Sequence, residues 1–407
     1  MFGSDTWDWE TGKRQIADML SLKDQYRYIE EPYVSPDGER IAFVVKTEDE
    51  EACVHVDGEL WESTFDRIWY LRFAPDNRLV ALVSDMGEWT VAIDGETWEN
   101  RFDFVWDTRI SPDGRRIAVA FQKAMKYGVA MDDTPWEEHF SSFSNLTISK
   151  DGKRCAGVVQ TVPVSGPDIF KFQEGCYSIV IDGSPWDVNF VNAWNMDFNH
   201  DGTRLAAEVR TTIYDYTIAV DGKVWDQTYG AVWEPRFSPV GDSVTAPVRI
   251  GGSWMLYKDG NPFWDKKFAQ LWQHMYSPDG ANIAAIVAPK YGRWTMALND
   301  IPWSLTFGDL VTDPVLSPDG KRLACVGKDN GSWIIAVDGA AWNGTYDMAW
   351  GPVFSPDSMH SAAVVEKDGQ HRLLVNGKAF KEDFIKLWNP IFSPESDKIL
   401  IRGIQHD

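Results

Sequence analysis

The chain is short of positive charge. Its 407 residues hold 39 Lys and Arg against 61 Asp and Glu, a net charge of −22. Nucleic-acid phosphates and anionic lipid headgroups are bound by clustered Lys and Arg, so this balance excludes a nucleic-acid binder and a basic membrane-docking face. A large net charge of either sign favours solubility, and a basic partner is the specific alternative. Long apolar runs are also missing: none approaches the roughly 18 residues of a membrane span. The opening residues, MFGSDTWDWETGKRQ, have neither a basic n-region nor an apolar h-region. No signal peptide is read there, and a cytoplasmic protein is expected.

Residues that carry chemistry are few. The four cysteines, at 53, 155, 176 and 325, form no CxxC, haem or zinc spacing. All sit in apolar, strand-like runs, so buried free thiols are expected. The seven histidines (55, 139, 200, 274, 360, 371 and 406) include no H-x-x-x-H pair. There is no G-x-S-x-G elbow. RIGGSW at 249–254 lacks the Lys and the helix of a phosphate loop. The carboxylate run KTEDEEA at 46–52 reads as a solvated acidic loop rather than a cation site. No catalytic group, metal or cofactor is expected from these residues.

What the chain does have is repetition. SPDGRRIAVAF starts at Ser111, with near-copies at Ser35 and Ser317 and looser ones at 74, 149, 199, 238, 277, 355 and 393. Successive spacings are 39, 37, 38, 50, 39, 39, 40, 38 and 38 residues. A fixed period of this size marks a repeat architecture. In S-P-D-G, Pro presets φ, Asp bonds the backbone ahead of it and Gly takes a positive φ. A second turn, D-G, recurs at Asp57, Asp94, Asp182, Asp221, Asp259 and Asp338, with Asn376-Gly377 as a variant. Each period therefore reads strand, SPDG, strand, loop, strand, DG, strand.

Tryptophan follows the same period. One set comes after the D-G turn (61, 98, 136, 186, 225, 264, 303 and 342, with Phe380 in the ninth slot). A second set opens the first strand (69, 106, 194, 233, 272, 350 and 388). Trp233, Pro235 and Phe237 are expected on one strand face, as are Trp388, Pro390 and Phe392. Packing between repeats is the expected role of both sets. A rim of aromatics that docks a partner is the alternative.

The pattern F-S-P-D-G-K-R-I-A followed by x-V-D-G resembles the WD40-like repeats of TolB-type propellers and covers essentially the whole chain. The resemblance implies an all-β fold: a single large β-propeller of four-stranded blades spanning residues 1–407. Ten blades are expected, with residues 1–26 and 388–407 each giving two strands to the closing blade. Nine blades with an extra N-terminal segment, and two stacked five-bladed rings, are the alternatives.

Two candidate sites stand out. The fourth period is 50 residues long, and its surplus, TVPVSGPDIFKFQEG at 161–175, carries Ile169, Phe170 and Phe172 either as a partner-docking loop or as a neutral insertion packed on its own repeat. Arg72, Arg109 and Arg236 share one position, three residues after the Trp, as a partial anion-binding ring or as partners for carboxylates between repeats. The leading reading is a non-enzymatic scaffold subunit. In size, Trp content and repeat type the chain resembles the tryptophan-rich cytoplasmic subunit of the Tmc transmembrane electron-transfer complex of sulfate reducers. That resemblance implies cytochrome and iron–sulfur partner subunits, no cofactor of its own, and membrane attachment only through those partners. The alternative is a small-ligand binder or a hydrolase- or lyase-type propeller using the central channel.

Overall fold

The computed structural model describes residues 3–163 and 169–405. Nine repeats follow one another, with first strands beginning at Tyr33, Arg67, Phe104, Phe143, Asn192, Ala231, Gln270, Leu310 and Met348. In each, four antiparallel strands are hydrogen-bonded in chain order; in the sixth and ninth the first strand is split in two. A C-terminal hairpin adds two short ladders, Lys386–Leu387 with Gly403–Ile404 and Ile391–Phe392 with Ile399–Leu400. Consecutive four-stranded meanders are the plan of propeller blades, and the fold is consistent with a β-propeller. Contacts group the chain into two bodies, Met1–Ala193 and Trp194–Asp407.

The recurring turns are built by their side chains. In SPDG and its variants SKDG and SPDS, the Ser hydroxyl donates to the Asp carboxylate at 2.5–2.6 Å, at Ser35, Ser111, Ser149, Ser277, Ser317 and Ser355. The same carboxylate accepts the backbone N–H two residues on, and the Ser oxygen accepts the one five residues on. Each turn thereby satisfies its own donors. Hydrogen bonds from Ser149 and Lys153 hold Asp151 well below the usual carboxylate range, at about 2. The Arg that follows then joins the two turns of a repeat. Arg154, Arg204 and Arg322 each donate Nε to the D-G aspartate (Asp182, Asp221 and Asp338) at 2.8 Å, and its other oxygen accepts the next backbone N–H.

The core lies along the second strands, which are buried on both faces. Alternate residues face opposite neighbours. Ile117, Val119 and Phe121 cluster with Val80 and Leu82 of the second repeat. Ala118 and Ala120 cluster with Cys155 and Val159 of the fourth. In the C-terminal body, Ile283, Ala285 and Val287 meet Leu256, while Ala284 and Ile286 meet Leu323 and Cys325. Each large side chain so buried stabilises by about 1.5–3 kcal/mol. All four cysteines are free and buried, as expected.

The Trp after D-G packs across repeats. Gly95 lies on the Trp61 ring, Gly183 on Trp136, Gly260 on Trp225, Gly339 on Trp303 and Gly377 on Trp342. Four residues beyond that Trp stands an aromatic that closes a β-bridge to the start of the third strand, from Ala52↔Phe65 to Trp333↔Tyr346.

Three expectations need correction. Residues 3–26 contain no strand: Ser4–Thr6 is a 3-10 turn and Met19–Gln25 is a helix, α1. Asp18 caps α1 by accepting from the N–H groups of Leu20 and Ser21, and Met19, Leu22 and Tyr26, at helical spacing, pack on the first repeat. Trp233, Pro235 and Phe237 do not share a continuous strand, because it stops at Val232 and resumes at Arg236. Pro has no N–H for the ladder. The fourth-repeat surplus is not all loop, since Ile169–Glu174 forms a second helix, α2. Its residues 164–168, like His406, lie outside the described residues.

Candidate functional site

The first strand is the least regular element of each repeat. Its ladder slips after the Trp position, between Trp69 and Arg72, Trp272 and Met275, and Thr312 and Val315. The slip is a bulge whose inserted residue has positive φ: Tyr70, Asp107, Asn145, Gln273 and Asp313, and Asn195 has positive φ at the same position of the fifth repeat. Asn and Asp tolerate this conformation, while Tyr and Gln are strained there. The bulge turns side chains toward the next repeat. Asp107 Oδ2 accepts from Leu146 N at 3.1 Å, and Tyr70 donates its hydroxyl to Thr108 O at 3.2 Å.

In the N-terminal body the first strands of the second and third repeats line an open pocket of ≈ 460 Å³. One wall is aromatic. Trp69 lies 4.5 Å from Trp89 and 5.9 Å from Phe104, which lies 6.0 Å from Trp106. Charged residues line the pocket as well: Arg72, Arg109 and Asp107. Arg109 is committed: it donates Nε to Leu146 O at 2.8 Å and pairs with Asp107 at 2.9 Å. Arg72 lies over the Tyr70 ring at 3.5 Å and, among the described residues, makes no hydrogen bond or ion pair. Thr108, another lining residue, is buried and its hydroxyl has no partner among the described residues.

Register confirms that the three arginines are equivalent. Arg72 faces Val80, Arg109 faces Ala118 and Arg236 faces Thr245, each the second residue of its strand. Arg236 belongs to the C-terminal body, where it pairs loosely with Asp197 of the preceding repeat at 3.7 Å. Two buried titratable groups lie in the same body. Burial pushes Glu208 up to about 7, opposed by a 2.8 Å hydrogen bond from Asn195 and aided by Glu234. Burial, with Arg236 adding to it, pulls His274 down to about 3; its Nε2 lies 2.9 Å from Thr245 Oγ1.

On the insertion, Ile169 and Phe170 are exposed and Phe172 is half-buried. Their position is shared: the turn between second and third strands bears a bare apolar side chain in other repeats too. Met86 and Met125 occupy it in the second and third repeats and Tyr214 and Tyr291 in the fifth and seventh, while in the sixth the exposed Ile250 ends the second strand just before the turn. In the acidic run, Lys46 bonds Glu50 O and Thr64 bonds Glu51.

Sequence reasoning missed Phe104, Asp107 and Thr108 as pocket residues, because only the bulge brings them beside Arg72. It also missed the bridge aromatic, although W-x-x-x-[FY] is legible in every copy from Trp61–Phe65 to Trp342–Tyr346.

No protein-family model matches the sequence, and no curated protein matches it. Among solved structures, a eukaryotic initiation factor is similar with TM-score 0.50 and 11% identity, over 92% of this chain and 99% of that chain. The Dos1 propeller aligns with TM-score 0.40 and 12% identity, over 75% and 90%. At 11% identity the first likeness speaks to the fold alone.

Proposed function

We propose that the chain is a non-enzymatic protein-interaction scaffold. One observation carries this reading. Met86, Met125 and Phe170 stand 92%, 76% and 74% exposed in the connection between second and third strands of three consecutive repeats in one body, the first two on tight turns and the third on α2. Exposed apolar side chains at a repeated position mark a docking edge, and Met is favoured at such surfaces. The corresponding turns of the first, eighth and ninth repeats carry Glu50, Asn330 and Asp368 instead. In this reading the nine repeats are TolB-type blades and the C-terminal hairpin begins a tenth. The narrower form of the proposal is a cytoplasmic, tryptophan-rich subunit held at a membrane respiratory complex by cytochrome and iron–sulfur subunits.

The test is purification of the tagged chain from its native host in mild detergent, with co-purifying proteins identified by mass spectrometry. Recovery of haem- and iron–sulfur-containing membrane subunits, lost in a Met86→Asp, Met125→Asp, Phe170→Asp variant of unchanged melting temperature, supports the proposal. Recovery of the wild-type chain alone from the soluble fraction overturns it.

A further inference from the structure

The pocket between the second and third repeats is a second feature, independent of the exposed turns. We propose that it binds a small aromatic carboxylate, its ring against Trp69, Phe104 and Trp106 and its carboxylate on Arg72. The volume, ≈ 460 Å³, lies within the range of about 300–1,000 Å³ that holds small ligands.

The aromatic half of the argument is geometric. Trp69 is held by Trp89 behind it, which is buried, while Trp69 itself keeps 44% of its surface open. Phe104 stands edge-on to Trp69 at 81° and stacks beside Trp106 at 20°. A flat ring entering here meets ring faces and edges at separations that aromatic pairs prefer. These side chains are pinned by one another and by the bulges, so little ordering is left for binding to impose.

The anionic half follows from what each charge already does. Asp107 is used on both oxygens, by Arg109 and by Leu146 N. Arg109 is used by Asp107 and Leu146 O. Arg72 lies over the Tyr70 ring at 3.5 Å and has no hydrogen bond or ion pair among the described residues. A guanidinium presents paired N–H donors that match a carboxylate's two oxygens. A cationic ligand would meet two guanidiniums and a carboxylate already committed.

The experiment is calorimetric titration of the full chain with naphthoate, naphthylmethanol and acetate. Saturable binding of naphthoate to a single site is expected, with the neutral alcohol and the ringless acetate each weaker by about tenfold or more. Trp69→Ala and Arg72→Gln should each weaken naphthoate by a similar factor, with an unchanged circular dichroism spectrum. Three results overturn the proposal: no saturable binding up to about 5 mM, equal binding of the alcohol, or full binding in both folded variants. The wild-type ligand series decides the matter alone if either variant misfolds.

Discussion

Glu208 and His274 are buried in the same body with opposite shifts, and their effects on stability oppose each other. His274 sits at about 3 in the folded chain against an ordinary 6.5. The unfolded chain therefore takes up the proton first, and the stability His274 contributes is present above 6.5 and lost as pH falls toward 3. Glu208 sits at about 7 against 4.5. The folded chain keeps a proton that the unfolded chain sheds, so its contribution is present below 4.5 and lost as pH rises through 7. Between 4.5 and 6.5 the two slopes cancel, each at most about 1.4 kcal/mol per pH unit. Glu208→Gln removes one of them. Urea melts of the variant should lose stability on acidification from 6.5 to 4.5 more steeply than wild type. Equal slopes would show that Glu208 does not titrate in that window. A second residue-scale test concerns Gly327. A Cβ there would come within 2.4 Å of the Phe307 ring, the bridge aromatic of the preceding repeat. Gly327→Ala should cost about 1–3 kcal/mol by overpacking, read as a lower urea midpoint.

At the scale of elements, the Arg–Asp clip ties a repeat to itself and to its neighbour. Arg322 pairs with Asp338 at 2.8 Å and donates Nη1 to the Ser358 and Met359 carbonyls of the next repeat, at 3.2 and 3.0 Å. A lone exposed ion pair is worth about 0–1 kcal/mol, but Arg322 also satisfies carbonyls. Arg322→Ala should therefore cost about 1–2 kcal/mol in denaturant melts, and Arg322→Lys should recover only part, since an ammonium lacks the fork. A loss below a few tenths would assign these contacts to the turn alone. The turns were legible because S-P-D-G and D-G work through their own side chains and need no neighbour. The second strands were legible as unbroken apolar runs. The bulges were not, because Tyr70 and Gln273 hold positive φ against their own preference, imposed by the adjoining strands. The pocket was hidden for the same reason: it depends on where the bulge aims Phe104 and Asp107, which no spacing encodes. Residues 3–26 misled because WDW suggests alternation, while the apolar contacts at 19, 22 and 26 follow a helical period.

At the scale of the whole molecule the governing quantity is the charge of −22. An accessible surface of 19948 Å² shared among 22 uncompensated charges gives roughly 900 Å² each, a spacing of about 30 Å. That spacing matches the Debye length at about 0.01 M salt and exceeds it several-fold at about 0.15 M. Self-repulsion is therefore felt across the surface in dilute buffer and largely screened at physiological ionic strength. The Arg–Asp clips respond differently. At 2.8 Å, as in Arg154–Asp182 and Arg204–Asp221, the partners are in contact, so added salt weakens them far less than it weakens repulsion at long range. The melting temperature should accordingly rise by a few degrees between about 0.01 and 0.15 M NaCl and change little up to about 0.5 M. A melting temperature that instead falls steadily with salt would mean that the clips outweigh the net repulsion. The acidic surface would then be a structural lattice of paired charges, and its excess of carboxylates would not strain the fold at any ionic strength.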